Sequence, residues 1–99
     1  MKNIKNRVDF INELLSEIPT ELNNNNQDKE ILRTAILAEL DAINLYEQMS
    51  KNAKNKKLKE VLLDIAKEEK THIGEFQALL LELDPEQEKE LKKGKKEIE

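Results

Sequence analysis

Two long stretches of the chain carry apolar residues at alternating steps of three and four, the spacing that lines one face of an α-helix. They run from about Asp28, a candidate N-cap, to Ser50 and from about Leu58 to Leu83. The first stripe consists of Leu32, Ala35, Glu39, Ala42, Tyr46 and Met49, with Ile36 and Ile43 beside it, and the second consists of Leu58, Leu62, Ile65, Glu69, His72, Phe76, Leu79 and Leu83. The polar segment at residues 51–57 predicts a short turn, so we expect a helical hairpin.

The segments on either side of the hairpin are more polar. Residues 5–18 place five apolar side chains at helical spacing, which predicts an N-terminal amphipathic helix. The Asn run at 23–27 predicts a flexible linker. Beyond the hairpin, Pro85 suits the first turn of a new helix, and the Glu- and Lys-rich stretch 86–99 predicts at most a marginal helix interrupted at Gly94. We therefore predict an all-α chain with three parts: an amphipathic helix and Asn-rich linker at residues 1–27, the helical hairpin at 28–84, and a charged C-terminal helix or tail at 85–99.

Composition limits what one copy of the chain can do alone. Hydrophobic residues make up 37% of the sequence and charged residues 38%, so one copy can bury little core and we expect it to associate. The 17 basic and 21 acidic residues are interspersed and aromatic residues are 3% of the chain, which argues against a nucleic-acid-binding surface. The chain has no cysteine, so only oxygen and nitrogen ligands are available to a metal.

The sequence also bears on targeting. No apolar run approaches the roughly 20 residues that cross a bilayer, so we predict no membrane span. Charges and Asn interrupt the first residues, MKNIKNRVDF, which predicts that no secretory signal peptide is present. These features fit a cytoplasmic protein.

Two polar residues, Glu69 and His72, interrupt the second apolar stripe. Their Glu-x-x-His spacing puts both side chains on one face of a helix, close enough to hold one metal ion or an adjacent pair. The spacing alone is a weak signal, because 16 of the 99 residues are Glu and the alternative is a partly solvated histidine on a charged helix. Burying a carboxylate and an imidazole without partners costs several kcal/mol, so their position on an apolar stripe favours a bound metal.

Glu39 occupies the stripe of the first helix at a matching level. At about 1.5 Å per residue, Glu39 lies roughly 17 Å and Glu69 roughly 18 Å from the helix ends at the turn. Four-helix di-iron carboxylate proteins use a Glu from each of two helices and a Glu-x-x-His from each of the other two, so a chain with one histidine holds half of that set. A second copy related by a two-fold axis supplies the other half, which predicts two metal ions at a homodimer interface.

Four further residues near this group are candidates for supporting roles. Tyr46 follows Glu39 by seven residues and either hydrogen-bonds a ligand or packs in the core. Glu68 and Glu75 flank the motif, and each is a candidate to orient the imidazole or to assist metal entry. On so charged a helix, the simpler interpretation is that both belong to a solvated face. Asp41, next to the first stripe, has the same two interpretations.

Four stretches keep the order and spacing of residues in a known family. They are AELDAINLYE from Ala38 to Glu47, EEKTH from Glu68 to His72, GEF from Gly74 to Phe76 and LDPEQ from Leu83 to Gln87. In these stretches the chain resembles the encapsulated ferritins, the ferritin-like proteins associated with encapsulin nanocompartments. The resemblance implies a helical hairpin with a short C-terminal helix, two copies of which form a ferritin-like four-helix ferroxidase site with Glu39, Glu69 and His72 as iron ligands. It also implies a ring, typically a decamer of five dimers, inside an encapsulin shell that holds the mineral.

The chain departs from that family at three places. Ala38 stands where a further acidic residue is common beside the site, although Asp41 matches one member. Leu45 stands where some relatives have tryptophan. The chain ends in KKGKKEIE rather than in a short apolar shell-targeting tail, and some archaeal relatives are instead joined to the front of the shell protein.

Together these features predict a ferroxidase that oxidises Fe²⁺ to Fe³⁺ with dioxygen at two irons per dimer and passes ferric iron to mineralisation. Two alternatives stay open. A rubrerythrin-like di-iron peroxidase would use the same ligands but react faster with peroxide, and the lack of a cysteine rubredoxin site counts against it. A metal-free helical oligomerisation or adaptor module would leave Glu39 and His72 exposed in the assembly.

Overall fold

A computed structural model of the chain describes Asp9, Glu13 and residues 24–99, and within 24–99 it contains three α-helices and no β-strand. Helix α1 spans Asn24–Asn52, α2 spans Lys56–Leu83 and α3 spans Pro85–Ile98. The predicted all-α class, a helical hairpin with a short C-terminal helix, is therefore confirmed. The predicted N-terminal helix at residues 5–18 lies almost wholly outside the described residues. In the described ranges, no helix combines the length and the apolar character that crossing a membrane requires.

The turn between α1 and α2 is shorter than predicted, at residues 53–55. Asn55 caps α2, because its side-chain Oδ1 accepts a hydrogen bond from the Leu58 backbone N–H at 2.9 Å. Ser50, near the end of α1, is buried, and its Oγ donates to the backbone carbonyl of Lys59 at 3.2 Å. These two bonds start α2 earlier than the apolar pattern indicates, and they hold its first turn against the last turn of an antiparallel α1.

Two predictions about helix ends are wrong. Helix α1 begins at Asn24, so residues 24–27 are helical rather than a linker, and Asp28 lies inside the helix rather than at its N-cap. Asparagine has only a modestly unfavourable helix propensity, and extending an existing helix is far easier than starting one. Helix α3 continues through Gly94 because one internal glycine costs only about 1 kcal/mol. Its N-cap Asp84, a proline in the first turn and basic side chains in the last turn all favour the helix.

The contact between α1 and α2 buries mainly small side chains. The buried residues of the described part of the chain are Ala38, Ala42, Ala66, Leu80 and Ser50, and no large side chain there is fully buried. Alanine lets two helix backbones approach closely, but its burial removes little apolar surface from water. The hairpin by itself therefore has a thin core.

The predicted apolar stripe of α2 points in two directions. Leu62, Glu69 and Phe76 are half-buried, whereas Leu58, His72 and Leu79 are exposed, so a single chain covers only part of the predicted stripe. Met49, on the predicted stripe of α1, is exposed as well, while Ala38, Ser50, Ala66 and Leu80 are buried outside the predicted stripes. A seven-residue repeat with two adjacent apolar columns suits packing against two neighbouring helices. Within one hairpin, α2 has only one such neighbour, α1.

Exposed apolar side chains of α1 adjoin those of α2. Ile31 and Leu79 line one groove, about 320 Å³ in volume, together with Leu32 and Leu83. Leu45 lies fourteen residues after Ile31, and fourteen residues are close to four whole helical turns, so both side chains leave α1 on the same side. The same argument groups Leu58, His72 and Leu79 on α2. We call the surface formed by Ile31, Leu45, Leu58, His72 and Leu79 the open face.

Candidate metal centre

Three side chains converge near the middle of the hairpin. Glu39 extends from α1, and Glu69 and His72 extend from α2, about one helical turn apart. The Nδ1 atom of His72 lies 3.0 Å from Oε2 of Glu39 and 3.9 Å from Oε2 of Glu69. One ligand atom from each of the three residues lies within 4.8 Å of the other two. The structure thus brings the predicted group together, and its role as a metal site stays a prediction.

The register of the hairpin explains this convergence. Glu39 stands thirteen residues before the end of α1, and Glu69 stands thirteen residues after the start of α2. Both carboxylates are therefore about 20 Å from the turn, at 1.5 Å of rise per residue. His72 joins them because residues three apart occupy one face of a helix.

The two carboxylates are shielded from solvent and the imidazole is not. The side chains of Glu39 and Glu69 are 16% and 15% exposed, whereas that of His72 is 48% exposed. His72 belongs to the open face, so the group opens to the same side as the exposed leucines. Further ligands from outside the chain can reach it from that side.

The hydrogen bond with Glu39, together with the negative charges nearby, raises the pKa of His72. The hydrogen bond with Glu39 is the largest cause; partial loss of water opposes it, and the charges of Glu69, Glu39 and Glu75 add to the increase. A protonated imidazole donates both ring N–H groups and cannot ligate a metal, so an incoming cation must displace a proton. Metal binding at this group would therefore release a proton and would strengthen as the pH rises.

The chemistry of the donors fits iron. Two carboxylates and one imidazole are oxygen and nitrogen donors of the kind that hold non-haem iron in four-helix proteins. Within the described residues, no second group of three His, Cys, Asp or Glu side chains has the geometry to hold a metal ion.

The chain matches a known protein family over most of its length. The family model described as Rubrerythrin matches residues 30–99. The chain belongs to the rubrerythrin family. It is 62% identical, over 69 residues, to the ferritin-like–encapsulin shell fusion protein of Pyrococcus furiosus, an alignment that covers 70% of this chain and 20% of that protein. The chain thus spans about a fifth of the length of this relative.

A solved structure agrees with the sequence comparison. The crystal structure of the encapsulated ferritin domain from Pyrococcus furiosus is similar to this chain with a TM-score of 0.75 and 54% identity. The match covers 81% of this chain and 82% of that one. The resemblance to encapsulated ferritins is therefore confirmed. Proteins of the rubrerythrin and ferritin-like family typically bind iron, and Glu39, Glu69 and His72 are the candidate group for it among the residues that the structure describes.

The other residues that the sequence predicts for the site lie on the same two helices, Asp41 and Tyr46 on α1 and Glu68 and Glu75 on α2. Tyr46 is half-buried on α1, and Asp41, Glu68 and Glu75 are exposed. Glu75 acts on His72 through its charge, as a minor cause of the raised pKa. The proposed roles of these four residues in hydrogen bonding or metal uptake stay predictions.

Proposed function

We propose that the chain is a ferroxidase, which oxidises Fe²⁺ to Fe³⁺ with dioxygen at a di-iron site built from two copies. The single observation that carries this proposal is the convergence of Glu39, Glu69 and His72 with ligand atoms within 4.8 Å of one another. Iron is the substrate of this reaction, and the residues of the site hold it while it is oxidised.

The number of donors in one chain supports a shared site. One hairpin offers two carboxylates and one imidazole, half of the set that four-helix di-iron proteins use. The imidazole is 48% exposed, on the side of the group that faces away from the chain's own core. A two-fold axis beside His72 would bring the second set of three residues to the first, because such an interface uses the same surface of both copies.

The open face supports the same arrangement. Leu58 and Leu79 are 48% and 52% exposed on α2, and Ile31 is 42% exposed on α1. Covering the remaining surface of one such side chain contributes roughly 1 kcal/mol, and a symmetric pair contains every contact twice. A second copy on this face therefore gains apolar burial around the metal group, and it completes a four-helix bundle.

The three side chains have different roles in the proposed reaction. Glu39 and Glu69, which are mostly shielded, provide hard oxygen donors that stabilise the ferric product more than the ferrous substrate. His72 must be neutral to act as a ligand, so a protonated imidazole loses one ring proton to water when iron binds, and Glu39 stays ionised as an iron ligand. Two irons held together supply two electrons to dioxygen at one site.

We propose further that the homodimer assembles into a ring, a decamer, inside an encapsulin shell in the cytoplasm, where the oxidised iron is mineralised. The support is that the relative at 62% identity is named as a fusion with an encapsulin shell and the solved relative as an encapsulated ferritin domain. This chain aligns with a fifth of the fusion protein.

Anaerobic mixing of the protein with Fe²⁺, followed by stopped-flow absorbance after adding air-saturated buffer, tests the activity. We expect oxidation faster than in buffer, with most of the acceleration lost in Glu39→Ala and His72→Ala. Glu60→Gln, an exposed glutamate nine residues before Glu69 on the same helix, is the matched control and should keep the full rate. Equal rates with and without protein would contradict the ferroxidase assignment.

A di-iron peroxidase is the second candidate, because the family model that matches the chain is the one described as Rubrerythrin. The same ligands would serve it. Adding hydrogen peroxide in place of dioxygen to the anaerobic ferrous protein separates the two activities. Oxidation many times faster with peroxide at equal concentration would favour the peroxidase, and comparable or faster oxidation with dioxygen supports the ferroxidase.

A further inference from the structure

One arginine of α1 holds the junction between α2 and α3. The Nη2 atom of Arg33 donates to Oδ2 of Asp84 at 2.6 Å, and its Nε atom donates to Oε1 of Gln87 at 3.3 Å. Asp84 is the single residue between α2 and α3, and Gln87 lies in the first turn of α3. The guanidinium therefore connects the start of α3 directly to α1, at the end of the hairpin opposite to the turn.

Asp84 uses its two carboxylate oxygens for two different tasks. Its Oδ1 accepts a hydrogen bond from the Gln87 backbone N–H at 3.1 Å, which caps α3. Its Oδ2 binds Arg33. One carboxylate thus starts α3 and also fixes its direction relative to α1. The Asp84 side chain is 15% exposed but that of Arg33 is 49% exposed, so solvent ions reach the pair from the arginine side.

Little else fixes the direction of α3. The helix has no buried residue, and its large apolar side chains Leu91 and Ile98 are 45% and 89% exposed. Across residues 24–99, no other side-chain hydrogen bond or ion pair joins α3 to the hairpin; the pair of Lys92 with Glu88 lies within α3. A recess of about 300 Å³ lies between Arg33 on α1 and Leu91 on α3, so these two helices are not packed together there.

We propose that the cluster of Arg33, Asp84 and Gln87 is a salt-sensitive lock on a hinge at Asp84, which sets the angle between α3 and the hairpin. A helix held by buried apolar contacts would keep its direction in high salt, whereas a half-exposed ion pair is screened. The bonds of Ser50 and Asn55 are at the far end of the hairpin, so opening the lock leaves the hairpin folded. The lock is independent of the iron chemistry proposed above.

Distance measurements between spin labels test the lock directly. The chain has no cysteine, so cysteines introduced at the exposed positions Gln48 and Lys95 are the only labelling sites. A second pair within the hairpin, at Asn44 and Lys67, reports on α1 and α2 alone. Labelled chains are diluted in an excess of unlabelled chains, so that distances between copies do not contribute. At low salt we expect one narrow distance distribution for each pair.

Three perturbations then distinguish an ionic lock from a helix held by apolar contacts. Arg33→Met should broaden the α1–α3 distribution at least twofold and leave the hairpin pair narrow. Arg33→Lys, which keeps the charge but not the fork of donors, should broaden it less. Raising NaCl from about 0.01 M to about 1 M shortens the screening length from about 30 Å to about 3 Å. This should broaden the α1–α3 distance distribution of the parent protein but leave that of Arg33→Met unchanged. Lys70→Met removes the ion pair with Glu47 at 3.7 Å, and as the control it should change neither distribution.

Two results would overturn the proposal. An unchanged α1–α3 distribution in Arg33→Met would mean that α3 is held by something other than this cluster. Equal broadening of both label pairs would mean that Arg33 supports the fold of the hairpin rather than the direction of α3. The salt series uses the parent sequence, so it tests the lock even where a substitution prevents folding.

Discussion

Leu79→Ala tests whether the open face is covered by a second copy. Leu79 leaves 52% of its surface exposed within one chain. Complete burial of a leucine side chain is worth about 1.5–3 kcal/mol, so covering the remaining half contributes roughly 0.8–1.5 kcal/mol. A two-fold interface contains this contact twice, which amounts to about 1.6–3 kcal/mol per dimer and a roughly 15- to 150-fold increase in the dimer Kd on truncation.

Leu63→Ala is the matched control for this experiment. Leu63 is 50% exposed on the same helix, so its truncation costs the single chain a similar amount of apolar burial. It lies sixteen residues before Leu79, which corresponds to about 160° around α2, so the two side chains leave the helix on nearly opposite sides. Leu63→Ala should therefore leave the dissociation constant of the dimer unchanged.

Sedimentation velocity across a concentration series, with ferrous iron present under anaerobic conditions, measures this Kd. A Leu79→Ala protein that dimerises as tightly as the parent would refute the two-copy face. Equal weakening by both substitutions would show a general loss of helix stability instead. Urea titration of the two variants in parallel checks that the single chains are destabilised to a similar degree.

Three smaller predictions concern the helix ends. Gly94→Ala should raise the stability of α3 by about 0.5–1 kcal/mol, because no atom lies within 4 Å of the added Cβ, and a fall in far-ultraviolet helicity would contradict this. Asn55→Ala should cost about 1 kcal/mol in urea unfolding by removing the cap of α2, while Asn55→Asp keeps it; equal losses would argue against the cap. The hydrogen bond from the Gln87 backbone N–H, together with nearby positive charges, lowers the pKa of Asp84, so its contribution to stability is present above the unfolded value of about 4 and lost as the pH falls further. Asp84→Asn should remove that part of the pH dependence. If urea titrations of Asp84→Asn showed the same loss of unfolding free energy at acidic pH as the parent, this role of Asp84 would be contradicted.

The convergence of Glu39, Glu69 and His72 was predictable from the sequence because its geometry depends on helix periodicity and the position of the turn. The three-residue spacing of Glu69 and His72 and the equal distances of Glu39 and Glu69 from the turn follow from the rise of an α-helix and a short connection. The resemblance to encapsulated ferritins also pointed to these residues, and the similarity of the chain to proteins from Pyrococcus furiosus confirms that resemblance.

The exposure of three of the eight residues in the predicted stripe of α2 could not be predicted from the apolar pattern. Apolar periodicity indicates that a side chain is buried in the functional state of a protein. It does not indicate whether the same chain or another copy of it buries that side chain. Leu58, His72 and Leu79 fit the pattern of a buried seam and yet are exposed in one hairpin. The two-copy proposal accounts for their exposure, because a second copy on the open face would cover them.

The helix ends were mispredicted for a different reason. The start of α1 within the Asn run and the continuity of α3 through Gly94 depend on small propensity costs that an adjoining helix easily offsets. The bond of Arg33 with Asp84 depends on which residues meet after folding, and sequence patterns do not report this. The cap at Asn55 is local, but a start inferred from the apolar spacing alone does not include it.

Native mass spectrometry of the protein loaded anaerobically with Fe²⁺ tests the shared iron site most directly. It counts chains and metal ions in the same particle. We expect dimers, or multiples of dimers, that carry two irons per pair of chains, and we expect His72→Ala to remove the iron. Single chains that retain iron, or parent dimers that never carry it, would contradict the claim that two copies complete one centre.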